Sequence, residues 1–195
     1  PENAKWFDHF ANRLSAAGQW GMEAVVRDRR LGVRSDAGAY AAAARAWLKL
    51  ETHDRALERA SMAERIDPLE DRWSALKGEI LLAKKDRTAA IEAYSAAAAK
   101  RPTELEWRLR RGLLLLEARA FPAAAEDLEE VVKSRPGERS AVLGLARALA
   151  AQDQAARATL LVLGWLGKHP EDAEAEALRN AFQGAPGKES PPLKK

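Results

Sequence analysis

Apolar positions in this chain fall at helical spacing almost from end to end, and they predict helices joined by short polar turns. Trp6, Phe7, Phe10 and Leu14 share one face of a helix predicted over residues 3–17, with Gly18 as its C-cap. A second helix is expected over 19–31, with Trp20, Ala24 and Val25 inward. Asp36 and Thr52 have the short oxygen-bearing side chains that cap helix N-termini, so helices are expected over 37–50 and from there to about Ile66. Pro68 stops the second of these, because it lacks an N–H and clashes with the preceding turn. Thr103 and Glu106 read as a T-x-x-E capping box, and Pro122 suits the first turn of a helix, where its missing N–H is harmless.

The pattern repeats at one constant offset. Trp73 returns as Trp107, Gly78 as Gly112, Ala90 as Ala124 and Pro102 as Pro136, a period of 34 in every case. Pro68 and Pro170 extend one of these rows, Ala56 and Ala158 another, and Trp6 stands one such period before Tyr40. Between the markers lie Leu76, Leu81, Tyr94 and Ala97, then Leu115, Leu128 and Val131, then Leu145, Ala146, Leu149 and Val162. Gly78 and Ala90, like Gly112 and Ala124, are expected where the two helices of one unit cross closely. A glycine inside a helix costs ~1 kcal/mol relative to alanine, so it needs such a reason. Lys77 and Arg111 are expected to lay their stems over apolar surface with their heads in water. Trp165 is bulky for its row and is expected to pack on a final helix over 171–183, with Ala177, Leu178, Ala181 and Phe182 inward and Glu174, Glu176 and Arg179 outward.

This pattern resembles the tetratricopeptide repeat (TPR) family over about residues 3–183. The resemblance implies an all-α, right-handed α-solenoid of antiparallel helix pairs, a TPR superhelix forming one array. Residues 3–36 are its degenerate first repeat, with Met22 where alanine is expected; repeats follow at 37–70, 71–104, 105–138 and 139–172, then a capping helix at 173–183. The tail over 184–195, rich in Gly, Pro and Lys, is expected to be disordered.

The resemblance also implies a non-catalytic protein–protein interaction scaffold, whose first helices line a concave groove for a peptide or helix. The groove positions map to Arg45, Leu48, Lys49, Arg72, Ala75, Glu79, Leu82, Leu109, Leu113, Leu116, Glu117, Leu143 and Arg147. Leu82, Leu109, Leu113, Leu116 and Leu143 make an apolar centre flanked by Arg45, Lys49, Arg72 and Arg147, so the expected partner is an apolar segment with acidic flanks. Leu109, Leu113 and Leu116 lie on a helix that is apolar nearly all round; such a stripe either binds a partner or packs on a neighbouring repeat. The clamp by which some family members hold acidic chaperone tails would fall at Ala41, Arg45, Leu76, Glu106 and Arg110, against Lys, Asn, Asn, Lys and Arg in the family. Only Arg110 matches and Glu106 reverses a charge, so a chaperone-tail adaptor is rejected on this alignment.

Composition narrows the function classes. Among 195 residues the 32 basic and 29 acidic side chains are interspersed, which describes a solvated surface better than a nucleic-acid footprint. The basic runs Arg27, Arg29, Arg30, Arg34 and Arg108, Arg110, Arg111 lack interleaved aromatics, and an RNA-binding helical repeat implies a different period. The chain has no cysteine, which excludes disulfides, thiolate metal sites and cysteine nucleophiles. No apolar run approaches the ~18 residues that cross a bilayer. His9, His53 and His169 stand alone, and the carboxylate pairs Asp127/Glu130 and Glu171/Glu174 read as helix-surface charge, so no metal, cofactor or catalytic site is expected. Neither a Gly-rich phosphate loop nor H-E-x-x-H nor G-x-S-x-G occurs. The Ala- and Arg-rich composition leans towards a bacterial origin, and the resemblance implies an envelope assembly (secretion, pilus or polysaccharide export), with the cytoplasm as the alternative setting. The competing class is a self-assembly module that homo-oligomerises.

Overall fold

The computed structural model describes residues 2–184. Among them are eleven α-helices and no strand: α1 (Glu2–Ala16), α2 (Trp20–Leu31), α3 (Ala37–Lys49), α4 (His53–Ile66), α5 (Asp71–Ala83), α6 (Arg87–Lys100), α7 (Leu105–Glu117), α8 (Phe121–Ser134), α9 (Arg139–Ala150), α10 (Ala155–Leu166) and α11 (Ala173–Gly184). From α3 onward the odd-numbered helices begin at Ala37, Asp71, Leu105, Arg139 and Ala173, each one repeat period after the last. Thus α11 stands in register as the first helix of a further pair.

The turns inside the pairs repeat too. Glu51, Lys85, Arg119 and Asp153, spaced by the same period, all adopt the left-handed conformation, with φ of 55°, 67°, 59° and 59°. The N–H that follows each one reaches back to a helix carbonyl: Thr52 to Trp47, Asp86 to Leu81, Ala120 to Leu115 and Gln154 to Leu149. These bonds satisfy carbonyls that a helix end leaves without partners. None of the four residues is glycine, so each accepts a strain of about 1 kcal/mol to close its hairpin.

The helices build two compact units, Pro1–Trp107 and Arg108–Lys195. In the first, each helix packs on the next from α1 to α6. The core is largely alanine, including Ala41, Ala44, Ala56, Ala60 and Ala63, with Trp47, Leu76 and Ile80 filling between them. Small side chains let the helix backbones approach. The ring of Tyr94, fully buried, occupies the space that Gly78 leaves: a Cβ there would meet its Cε2 at 2.9 Å. Buried carboxylates are held by indoles and guanidinium groups. Asp71, 1 % exposed, accepts from Trp107 Nε1 at 2.7 Å and pairs with Arg101 at 3.0 Å. Asp28 accepts from Trp47 Nε1 at 3.1 Å and from Arg59 at 2.9 Å. Glu64 of α4 joins three helices, taking Ser74 Oγ at 2.5 Å and Lys77 Nζ at 2.8 Å from α5, and Lys100 Nζ at 2.7 Å from α6.

In the second unit, Leu128 of α8 is fully buried between two glycines. A Cβ on Gly112 of α7 would meet Leu128 Cγ at 2.9 Å, and one on Gly144 of α9 would meet its Cδ1 at 3.0 Å. Beside it, Asp127 accepts both Nε and Nη2 of Arg111 at 2.6 Å. Trp165 is buried as expected, stacks on His169 at 4.0 Å between ring centroids, and donates its Nε1 to Asp172 at 2.9 Å. Asp172 also caps α11 by accepting from the Ala175 N–H at 3.2 Å.

Several local expectations are corrected. Trp20 and Val25 point outward, at 38 % and 47 % exposed, because α1 and α2 close on the smaller Ala4, Ala11, Leu14 and Ala24, and Trp6 is likewise 58 % exposed. Trp6 instead lies against Phe7 and Phe10, with centroids 5.1 and 5.2 Å away. Thr52 does not cap α4; its hydroxyl donates to the Leu50 carbonyl at 3.3 Å. The capping box fails because α7 begins at Leu105, so Glu106 is its second residue, and the Glu106 N–H donates to Glu104 Oε1 at 3.3 Å. The heads of Lys77 and Arg111 bind Glu64 and Asp127 rather than water, and Asp127, 2 % exposed, is a buried ion-pair partner instead of surface charge. On α11 the buried residue is Ala175, in register with Trp73, Trp107 and Ala141, whereas Ala177 and Ala181 are exposed and Leu178 and Phe182 half-buried. The tail expected to be disordered lies, from residue 185 on, outside the described residues.

Candidate protein-binding face

The first helices of the pairs position the residues assigned to a groove. In the unit Pro1–Trp107 these are α3 and α5, which touch each other. Arg45 of α3 is exposed and Leu48 is half-buried; on α5, Glu79 and Leu82 are half-buried. Arg45 makes no ion pair among the described residues. Ala75, 2 % exposed, is part of the core, because its methyl group is too short to emerge between neighbouring helices.

The other two cations of this unit are already engaged. Lys49 Nζ donates to Ser15 Oγ at 3.0 Å and to Glu23 Oε2 at 3.3 Å, and sits over the Trp20 ring at 4.4 Å. Burial opposes the charge of Glu23, but Arg27, Lys49 and Ser15 outweigh it and hold its pKa below the ordinary carboxylate value. Arg72 Nε donates to Glu70 at 2.6 Å, and its guanidinium lies over the Trp73 ring at 5.5 Å.

In the unit Arg108–Lys195 the predicted apolar centre is covered by the chain itself. Leu109 and Leu143 are 7 % and 2 % exposed. Leu113 and Leu116 are half-buried, and a Cβ on Gly144 would meet their Cδ2 atoms at 3.2 and 3.8 Å. The missing side chain of Gly144 lets α9 approach α7, so the leucine stripe packs on a neighbouring helix, the second of the two roles open to it. Glu117 is exposed at the end of α7. Arg147 binds Glu174, which also takes Arg139 Nη2 at 2.6 Å. The hydrogen bonds from Arg139, against the opposing effect of burial, hold the Asp172 carboxyl far below its ordinary range.

The three histidines do not converge with other ligands: His9 is exposed, His53 starts α4 and His169 stacks on Trp165. No group of three or more His, Asp or Glu side chains with metal-holding geometry occurs among the described residues. No helix among them is long and apolar enough to cross a membrane.

Helical pairs in one gapless register, closed on glycines by Tyr94 and Leu128, are matched by known proteins. The family model described as Tetratricopeptide repeat matches residues 115–182. Over that stretch the chain is similar to tetratricopeptide repeats. Solved TPR structures extend the likeness along the chain. The crystal structure of YrrB, a TPR protein with an unusual peptide-binding site, covers 89 % of this chain and 90 % of its own at 19 % identity, with a TM-score of 0.73. MamA covers 89 % of this chain and 95 % of its own at 15 % identity and TM-score 0.77. A TPR protein from Parabacteroides merdae ATCC 43184 covers 93 % of this chain and 73 % of its own at 11 % identity and TM-score 0.80. At such identities these neighbours establish the fold, an all-α TPR solenoid of helical hairpins. No curated protein sequence matches the chain.

Within a TPR register the missed residues have a common signal. Asp28, Asp71 and Asp172 each receive an indole N–H, from Trp47, Trp107 and Trp165, and each is also bound by an arginine. The tryptophans were legible as apolar markers. Their need for a buried acceptor was the available clue to the aspartates.

Proposed function

We propose that this TPR protein is a non-catalytic scaffold that binds an apolar, acid-flanked peptide or helix of a partner protein on the first-helix face of α3 and α5. The observation that carries this reading is the composition of that face: Leu48 and Leu82 half-buried, with Arg45 exposed beside them and outside any ion pair among the described residues. Partly covered leucines offer apolar area without opening the core, and a cation not committed to the fold is available to a partner's carboxylate. The family supports the reading, since TPR folds typically serve as protein-interaction scaffolds rather than enzymes, and YrrB is described as having a peptide-binding site. The Ala- and Arg-rich composition supports a bacterial origin and the family likeness an envelope setting, which fractionation of the native cells tests.

The test is affinity capture from the native organism with wild-type protein and the Arg45→Glu, Leu48→Asp double variant in parallel. The variant is expected to keep its helical circular dichroism and lose a partner that the wild type retains. Capture of the same proteins by both refutes the assignment of this face. The self-assembly alternative gives a different result: a molar mass by light scattering that grows with protein concentration.

A further inference from the structure

The second helices of the unit Arg108–Lys195 present a surface that packing among the described residues leaves open. Leu160 of α10 is 71 % exposed and Leu163 is 43 % exposed. Helices α8 and α10 both pack on α9. Between them lie two adjoining clefts of about 270 and 460 Å³, which share Val132 of α8 and Leu160 and Leu161 of α10 as walls. Val142, Leu145 and Leu149 of α9 form the floor.

Two further features describe the missing occupant. Gly164 lies in the last turn of α10 and lines the smaller cleft, yet a Cβ on it would meet no described atom within 4 Å. Gly112 and Gly144 are small because Leu128 fills their space; no contact among the described residues accounts for Gly164. A glycine there weakens the helix and leaves room for another backbone to come close. The charged side chains lining the clefts are Lys133, Arg157 and Lys168 against Glu129 alone, and Glu129 is already 3.5 Å from Arg157.

We propose that the cleft between α8 and α10 docks an amphipathic helix from another protein. Its apolar stripe rests on Val132, Leu160 and Leu161, its backbone passes over Gly164, and its acidic flank meets Lys133 and Lys168. This surface consists of second helices and is independent of the first-helix face assigned above. A second copy of this chain fits less well. The exposed apolar residues Met22 and Val25 share α2 with Arg29, which makes no ion pair among the described residues and would set cation against cation.

The probe is a fluorescein-labelled synthetic helix with leucines at i, i+3, i+4 and i+7 and glutamates elsewhere, alongside a twin with lysines in place of the glutamates. Fluorescence anisotropy with the full chain should show saturable binding of the glutamate helix and at least about tenfold weaker binding of the lysine helix. Gly164→Leu should weaken binding of the glutamate helix about tenfold or more while raising the melting temperature by roughly 2 °C, because leucine is the better helix former and the space is open. Leu160→Lys, a change at an exposed position, should abolish binding with the circular dichroism unchanged. Equal binding of both helices, or wild-type binding by the Gly164→Leu protein, overturns the proposal. So does a concentration-dependent dimer in sedimentation that Leu160→Lys dissociates, which assigns the cleft to a second copy.

Discussion

One substitution made at two glycines separates helix propensity from packing. Alanine in place of a mid-helix glycine gains about 1 kcal/mol of intrinsic helix stability. At Gly164 nothing opposes that gain, since the added methyl group meets no atom within 4 Å. Gly164 lies in the last turn of α10, so Gly164→Ala should stabilise the protein by about half that amount, a rise in melting temperature of about 1–2 °C for a chain of this size. At Gly112 the same methyl would lie 2.9 Å from Leu128 Cγ, 3.0 Å from its Cδ2 and 3.2 Å from Asp127 Cβ. Neither neighbour yields easily. Leu128 is fully buried with its other side 3.0 Å from the Cβ position of Gly144, and Asp127 is tied to Arg111 by two bonds of 2.6 Å. Overpacking of this kind costs about 1–3 kcal/mol. With two unyielding neighbours the clash exceeds the propensity gain, and Gly112→Ala should be net destabilising by up to about 2 kcal/mol. Gly112→Leu should be worse still. Urea denaturation followed by far-UV circular dichroism, with the two alanine variants side by side, measures the difference. Leu128→Ala should cost less in the Gly112→Ala background than in the wild type, since it removes the Cγ and Cδ atoms that the new methyl meets, a coupling of about 1 kcal/mol between the sites. A Gly112→Ala protein at or above the wild-type midpoint would refute the close crossing of α7 and α8.

Two smaller predictions follow from single side chains. Burial disfavours the charge on Glu64, but the hydrogen bonds from Lys100, Lys77 and Ser74 outweigh it and bring its pKa from 4.5 down to about 2. A depressed folded-state pKa stabilises the fold above the unfolded value, and the contribution fades as pH falls from 4.5 towards 2. Glu64→Gln should cost about 2 kcal/mol at neutral pH and progressively less in acid, and a cost independent of pH in urea titrations would contradict the network. Lys85 holds φ 67°, which glycine adopts without strain. Lys85→Gly should relieve about 1 kcal/mol of strain against a similar or smaller rise in unfolded-state entropy, so its denaturation midpoint should be unchanged or higher; a loss beyond about 1 kcal/mol would show that the lysine side chain, rather than the backbone, holds the turn.

The sequence by itself determined the repeat. A period of 34 carried by Trp73, Gly78, Ala90 and Pro102 and their successors specifies which helix pairs with which, because each marker answers a local steric demand: a small residue at a crossing, or a proline that cannot continue a helix. It did not determine which polar side chains are interior. Asp71 and Asp127 are written in the same letters as surface carboxylates, and only the arrival of Trp107 and Arg111 from other turns of the chain makes their burial tolerable. The hairpin turns were equally hidden, since Glu51, Lys85, Arg119 and Asp153 take a conformation that glycine would have announced. The candidate groove shows the same division. Helical spacing placed Leu109, Leu113 and Leu116 on one stripe, but whether a stripe meets a partner or a neighbouring helix depends on how closely that neighbour approaches. That distance is decided by the bare backbone of Gly144 on another helix, which admits α7 to van der Waals contact and turns an apparent binding stripe into a helix-packing contact that leaves Leu113 and Leu116 half-buried.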